Sequence, residues 1–102
     1  MLIFGLFKKK PQYGVVRDKD GNPVKGVSVG LRDVEFDRIV GKRITDGEGK
    51  YRFVVNKGEY QLEILEANYE VLSIEEKEDK VLSDGSLLIA RDIVVKPIEV
   101  EK

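Results

Sequence analysis

Residues 13–29 read Tyr13-Gly14-Val15-Val16-Arg17-Asp18-Lys19-Asp20-Gly21-Asn22-Pro23-Val24-Lys25-Gly26-Val27-Ser28-Val29. A short apolar run from Tyr13 to Arg17 gives way to a dense cluster of Asp, Gly, Asn and Pro between Asp18 and Pro23. Those residue types bond their own backbone or accept positive φ, so they turn a chain. Beyond the turn, Val27, Val29 and Leu31 alternate with Ser28, Gly30 and Arg32. Period-two alternation sends three apolar side chains to one face of a strand. The stretch spells strand, tight loop, strand, with one face turned to a core.

The same grammar repeats outward. Asp33 to Lys42 is polar with Phe36, Ile39 and Val40 interspersed, and it predicts a long or bulged connection into a strand at Ile39–Thr45. Thr45-Asp46-Gly47-Glu48-Gly49 is a turn, after which Tyr51, Phe53 and Val55 alternate with Arg52, Val54 and Asn56. Asn56-Lys57-Gly58-Glu59 turns the chain again before Tyr60, Leu62 and Ile64. Val71–Ile74 and Leu87–Val95 are the remaining strand candidates, with Pro97 ending the last. Between them lies the charged stretch Glu75–Ser86, which closes on the turn Ser83-Asp84-Gly85-Ser86. Its part Glu75–Lys80 has no apolar face and predicts a solvated loop. About seven short strands at this spacing specify a sandwich. The apolar set agrees, with 14 Val and 8 Ile against 2 Ala, since β-branched side chains suit a pleated surface.

Composition bounds the function. A chain of 102 residues holds one modest core and no second domain. Cys, His and Trp are absent, which removes disulfides, thiol nucleophiles, Cys/His zinc sites and His-based acid–base steps. A net charge of −1 lacks the basic excess expected of a nucleic-acid binder. These observations point to a non-catalytic binding or structural module that needs no cofactor. The charge is nonetheless polarised: Lys8 to Lys57 carries 13 bases and 7 acids, while Glu59 to Lys80 carries 2 bases and 8 acids.

Residues 1–10, MLIFGLFKKK, stand apart from the sandwich expected over 11–102. The run Leu2–Phe7 is too short to span a bilayer, and a signal peptide carries its positive charge ahead of its apolar run. Two readings stay open: an edge strand packed on the sandwich, or the inner end of a membrane helix. In the second, Lys8, Lys9 and Lys10 sit at the headgroups and the domain hangs on the cytoplasmic side. Otherwise the domain is expected outside the cytoplasm or at the cell surface.

The segment Tyr13–Val29, together with Thr45-Asp46-Gly47-Glu48-Gly49-Lys50-Tyr51-Arg52-Phe53 and Gly58-Glu59-Tyr60-Gln61-Leu62, closely resembles the carboxypeptidase regulatory-like domain family. The resemblance covers residues 13 to about 69. It implies a prealbumin-like (transthyretin-like), seven-stranded Greek-key β-sandwich, used as an accessory module of secreted, cell-surface or membrane proteins. Hydroxyisourate hydrolases and intradiol dioxygenases on similar sandwiches use histidines that this chain lacks. Collagen-adhesin B-type repeats are also similar, and they can form a Lys-to-Asn or Lys-to-Asp isopeptide bond. Their reactive lysine falls at Arg17 here, and arginine cannot form that amide, although Glu63 or Glu66 offers an assisting acid and Asp92 an acceptor.

The expectation is a monomeric spacer or protein-interaction domain of a larger, membrane-associated or cell-surface protein, partnered by a protein or by neighbouring domains. The alternative is a carbohydrate- or calcium-binding module. Asp18, Asp20 and Asn22 alternate oxygen ligands around Gly21, but further donors would have to come from another loop, such as Asp46 or Glu48. Phe36 is the aromatic that strand alternation leaves unexplained, and it is expected to fold back on the core edge beside Ile39 and Val40. Glu70, Glu75 and Glu76 have no spacing that places two acids in one cleft. Arg32, Arg38, Lys42, Arg43 and Arg52 form a candidate basic interaction patch.

Overall fold

A computed structural model describes residues 13–98. Its elements are β1 (Gly14–Asp18), β2 (Ser28–Asp33), β3 (Arg38–Ile44), β4 (Lys50–Tyr51), β5 (Phe53–Val55), β6 (Tyr60–Ile64), β7 (Tyr69–Ile74), β8 (Lys80–Val81), β9 (Leu87–Ile89) and β10 (Ile93–Pro97). The described residues are all-β and contain no helix. One layer is the sheet β4-β1-β10-β7, the other is β3-β2-β6, and a small sheet β5-β9-β8 continues from the first.

Two stretches expected as single strands are each broken, and the break has one physical purpose. The chain leaves β4 at Arg52 to enter the small sheet as β5, and it leaves the small sheet after β9 to enter the four-stranded sheet as β10. The apolar periodicity runs on through both breaks because the same core is served on either side. Phe53 and Ile89, opposite one another in the small sheet, are buried against Tyr51 and Ile93 of the large one.

The inward rows meet as the alternation requires. Val16, Val29, Leu31, Ile93 and Val95 are fully buried, with Val27, Phe53 and Ile89 nearly so. Each such side chain contributes about 1.5–3 kcal/mol through removal from water. At the broken end of the large sheet, Gly14 faces Arg91 so closely that a Cβ would stand 2.3 Å from the Arg91 carbonyl oxygen and 2.6 Å from the Tyr51 ring. Only glycine fits there.

The connection after β2 is shorter than expected. Residues 34–37 form a tight turn, and strand β3 begins at Arg38. The irregularity predicted for this region is a bulge: the register passes from Leu31↔Gly41 to Arg32↔Ile39, leaving Val40 as the additional residue. The turn is fastened by the Asp33 carboxylate, which accepts from the Glu35 and Phe36 N–H groups at 2.9 and 3.2 Å. Phe36 does not fold onto the core edge. It is 65% exposed, and the Arg38 guanidinium lies 5.9 Å from its ring centroid. The four-residue turn leaves too little chain to carry the ring back across the sheet.

The membrane-helix and edge-strand readings of residues 1–10 lie outside the described residues. Among the described residues, no helix is long and apolar enough to cross a membrane.

Candidate functional site

The three candidate calcium ligands, Asp18, Asp20 and Asn22, sit in a turn whose own hydrogen bonds account for it. The Asp18 N–H donates to the Asn22 carbonyl and the Gly21 N–H to the Asp18 carbonyl, at 2.8 and 3.0 Å. One oxygen of the Asp18 carboxylate accepts from the Asp20 and Asn22 N–H groups, both at 2.9 Å. Those bonds, led by that from Asn22, hold the carboxyl below its ordinary pKa.

The residues offered as additional donors repeat the device. Asp46 accepts from Glu48 and Lys50 N–H groups, again at 2.9 Å, with the Lys50 bond the main cause of its lowered pKa. A third version closes on the Gly85 N–H and Leu82 carbonyl, with Asp84 accepting from Ser86. Gly21, Gly49 and Gly85 occupy the same place in the three turns, each at φ between 78° and 90°, where a side chain would be strained. Among the described residues, no group of three or more carboxylates is arranged to hold a metal ion.

Of the five basic residues, Arg32 lies on β2, Arg38, Lys42 and Arg43 lie on the paired strand β3, and Arg52 lies between β4 and β5. Arg32 is engaged by Glu63 on β6 and by Asp37 at 3.3 Å. The Arg43 guanidinium lies 5.4 Å over the Phe53 ring, and Arg52 lies 4.9 Å over Tyr13. Arg38 covers Phe36, and Lys42 stands exposed on β3. Three of the five therefore cap aromatic rings, which holds each cation by its attraction to the ring face. Arg43 covers the core on the side where β3 approaches β5, and Gly41 lies against the same Phe53 ring.

The described residues leave the opposite side, between β6 and β7, open. Tyr60, Leu62 and Ile64 on β6 and Tyr69 and Ile74 on β7 pack against the core but remain half-buried. Between these strands lies a cleft of about 330 Å³, floored by Leu31, Leu62, Ile74 and Ile89 and rimmed by Glu75, Glu76, Asp79 and Arg91. Residues 75–79 form the expected loop, exposed except at half-buried Asp79, but the expectation that no two acids share a cleft is corrected, because Glu75, Glu76 and Asp79 all line this one. Asp79 is bound in a two-pronged ion pair with Arg91, both contacts at 3.0 Å, and Glu75 accepts from the Asp92 N–H at 3.1 Å. Acid-rich residues 59–80 supply both flanking strands, so the charge asymmetry of the sequence becomes an asymmetry of the two sides.

The rim is anchored by a residue whose polar role no local pattern marks. The Tyr51 hydroxyl donates to the Arg91 carbonyl at 2.6 Å and accepts from the Arg91 N–H at 3.2 Å. Burial pushes the phenol's pKa well above its ordinary value. Alternation marks Tyr51 as core, but nothing nearby in the chain marks Arg91 as the partner of its hydroxyl, 40 positions away. Thr45 is similarly inconspicuous: its buried hydroxyl donates to the Val24 carbonyl at 2.8 Å and accepts from the Val27 N–H at 2.9 Å.

Arg17, at the position where similar repeats carry lysine, reaches Asp92 in an ion pair of 3.0 Å. The other oxygen of Asp92 accepts from the Val15 N–H at the same distance. Both side chains are more than two-fifths exposed, so water screens the pair.

No curated protein and no solved structure matches the chain. The model of one family, described as the carboxypeptidase regulatory-like domain, matches residues 13–83. That span runs from β1 through the turns at Asp18 and Asp46 to β8, both walls of the cleft included, and the chain belongs to the carboxypeptidase regulatory-like domain family.

Proposed function

We propose that this domain is a non-catalytic accessory module working as a protein-interaction domain of a larger protein, with Lys8, Lys9 and Lys10 close to a membrane surface. Its working side is the open side between β6 and β7. The observation that carries this reading is the half-buried apolar row Tyr60, Leu62, Ile64 and Ile74 beside an acidic rim. Leaving such a row incompletely covered forgoes burial that would stabilise the domain, and incompletely buried apolar surface rimmed by polar groups is characteristic of interaction sites. Family membership agrees, since the family supplies β-sandwich modules that are typically non-catalytic.

The test is site-specific photo-crosslinking in the source cells. A photoreactive residue at position 76 should give a discrete adduct with one protein. The same residue at position 25, on the loop that follows the first turn, should give none. Equal, diffuse labelling from both positions would refute the reading, as would saturable turnover in a broad substrate screen.

A further inference from the structure

We infer that the open side accepts an extended peptide strand from a protein partner, a strand in which apolar side chains alternate with lysine or arginine. This rests on the interaction reading above and specifies its mode.

The first support is the edge of β6. Strand β6 pairs with β2 and, among the described residues, has no strand on its other side. The Leu65 N–H donates to the Ser28 carbonyl and the Val34 N–H to the Glu59 carbonyl, which fixes the phase of the antiparallel ladder. Hydrogen-bonded pairs alternate along such a ladder, so Gln61 and Glu63 also exchange bonds with β2. The N–H and C=O groups of Tyr60 and Leu62 consequently point away from β2, toward the open side. Their side chains are also the ones that line the cleft. A strand added here would gain main-chain bonds while every second side chain entered the apolar slot, as strand addition requires.

The second support is the contrast with β3, the other edge of this sheet among the described residues. Strand β3 carries Arg38, Lys42 and Arg43 and a bulge at Val40, all of which discourage pairing by another strand. Strand β6 has no bulge, and its cleft-lining residues Tyr60 and Leu62 are uncharged.

The third support fixes the chemistry of the occupant. Glu75, Glu76 and Asp79 against Arg91 leave the rim with net negative charge, and residues 59–80 as a whole carry 8 acids to 2 bases. A strand whose apolar residues enter the slot suits its floor, and lysine or arginine between them, projecting to the other face of the added strand, brings positive charge to this acid-rich side of the domain. Carboxylates at those positions would add like charge to the same side.

The experiment uses the full chain and a synthetic peptide about eight residues long, of alternating valine and lysine, the length of an ordinary strand. Binding is followed by titration and by amide hydrogen exchange at Tyr60 and Leu62. The lysine peptide should bind saturably and slow exchange at both amides. Its glutamate twin should bind roughly tenfold more weakly or worse. A lysine peptide N-methylated at alternate residues keeps its side chains but cannot pair along an edge, and it should lose at least about as much. On the protein, Glu76→Lys should weaken binding and Lys25→Glu should not, and neither exposed position threatens folding.

Absence of binding overturns the proposal, as does equal binding by the glutamate or the N-methylated peptide. Protection of Tyr60 and Leu62 before any peptide is added also overturns it, because the edge is then filled by residues 2–10 of this chain or by a second copy. If a partner is crosslinked at position 76 while the peptides fail, the interaction reading stands and strand addition falls.

Discussion

Removing one oxygen atom from Tyr51 tests how the two ends of the fold are tied. The side chain is 3% exposed, and its hydroxyl serves both backbone groups of Arg91, the residue at which the chain passes from β9 to β10. Tyr51→Phe keeps the ring, its edge-on contact with Phe53 at 5.9 Å and the volume of the core. What it removes is two hydrogen bonds, each worth about 1 kcal/mol net, and it leaves a carbonyl and an N–H with reduced access to water, at about 1–3 kcal/mol when fully stranded. Arg91 is only partly buried, so water recovers part of that cost, and the expected loss is about 2 kcal/mol. In a domain of this size that lowers the melting temperature by roughly 10 °C, read by chemical denaturation together with thermal melts. The pH dependence supplies a second readout. Burial raises the phenol's pKa in the folded state, so its stabilising contribution is complete below pH 10.0, the ordinary value, and is lost as pH climbs above it. The gap between the parent protein and Tyr51→Phe should therefore narrow above about pH 10. A loss under about 0.5 kcal/mol, or a gap that does not change with alkaline pH, would refute the assignment.

Three further outcomes follow from the turns and the ion pair. Asp46→Ala should lower the melting temperature at neutral pH, and the difference should fade as pH falls below 3.8. The lowered pKa of Asp46 means that its contribution is present above the unfolded value and lost below it, which melts across an acid pH series would check. Thermal melts with calcium and with chelator should coincide, because the Asp18 and Asp46 carboxylates are already satisfied by their own turns; a rise of several degrees with calcium would make Asp18, Asp20 and Asn22 a metal site. Intact mass should equal that of the sequence, since arginine at position 17 meets Asp92 as an ion pair, and a deficit of one water or one ammonia would contradict this.

Legibility in the sequence tracks the range of the interaction. Turns are local chemistry, so the Asp–Gly loops at 18–22, 46–50 and 82–86 are legible as turns from residue types alone. Core residues such as Val27, Val29, Leu31 and Phe53 are legible through alternation. The sheet changes at Arg52 and after Ile89 are not, because both sheets face one core, and periodicity reports the face without reporting the neighbour. Phe36 defeats the sequence reading because a residue's hydrophobicity says nothing about the length of chain available to fold it inward. The cleft escapes it for a related reason: Asp79 meets Arg91 only after the strands on either side have been paired, and Glu75–Lys80 by itself looks like any solvated run. Sequence identifies the charged groups of the basic patch, but the rings that hold Arg38, Arg43 and Arg52 are assigned by the fold.

Strand β1, first among the described elements, and β10, the last, lie side by side and parallel, with Val16, Arg17 and Asp18 opposite Ile93, Val94 and Val95. Tension drawing residue 13 and residue 98 apart would act along this ladder. Parallel neighbours pulled from opposite ends slide past one another, so their bonds bear the load together rather than opening in succession. The Arg17–Asp92 pair and the Val15 N–H bond to Asp92 brace the same seam. Resistance to stretching is set by the unfolding barrier rather than by overall stability. A small sandwich with an ordinary melting temperature can therefore be a stiff mechanical link, and its stiffness resides in three residue pairs of one seam.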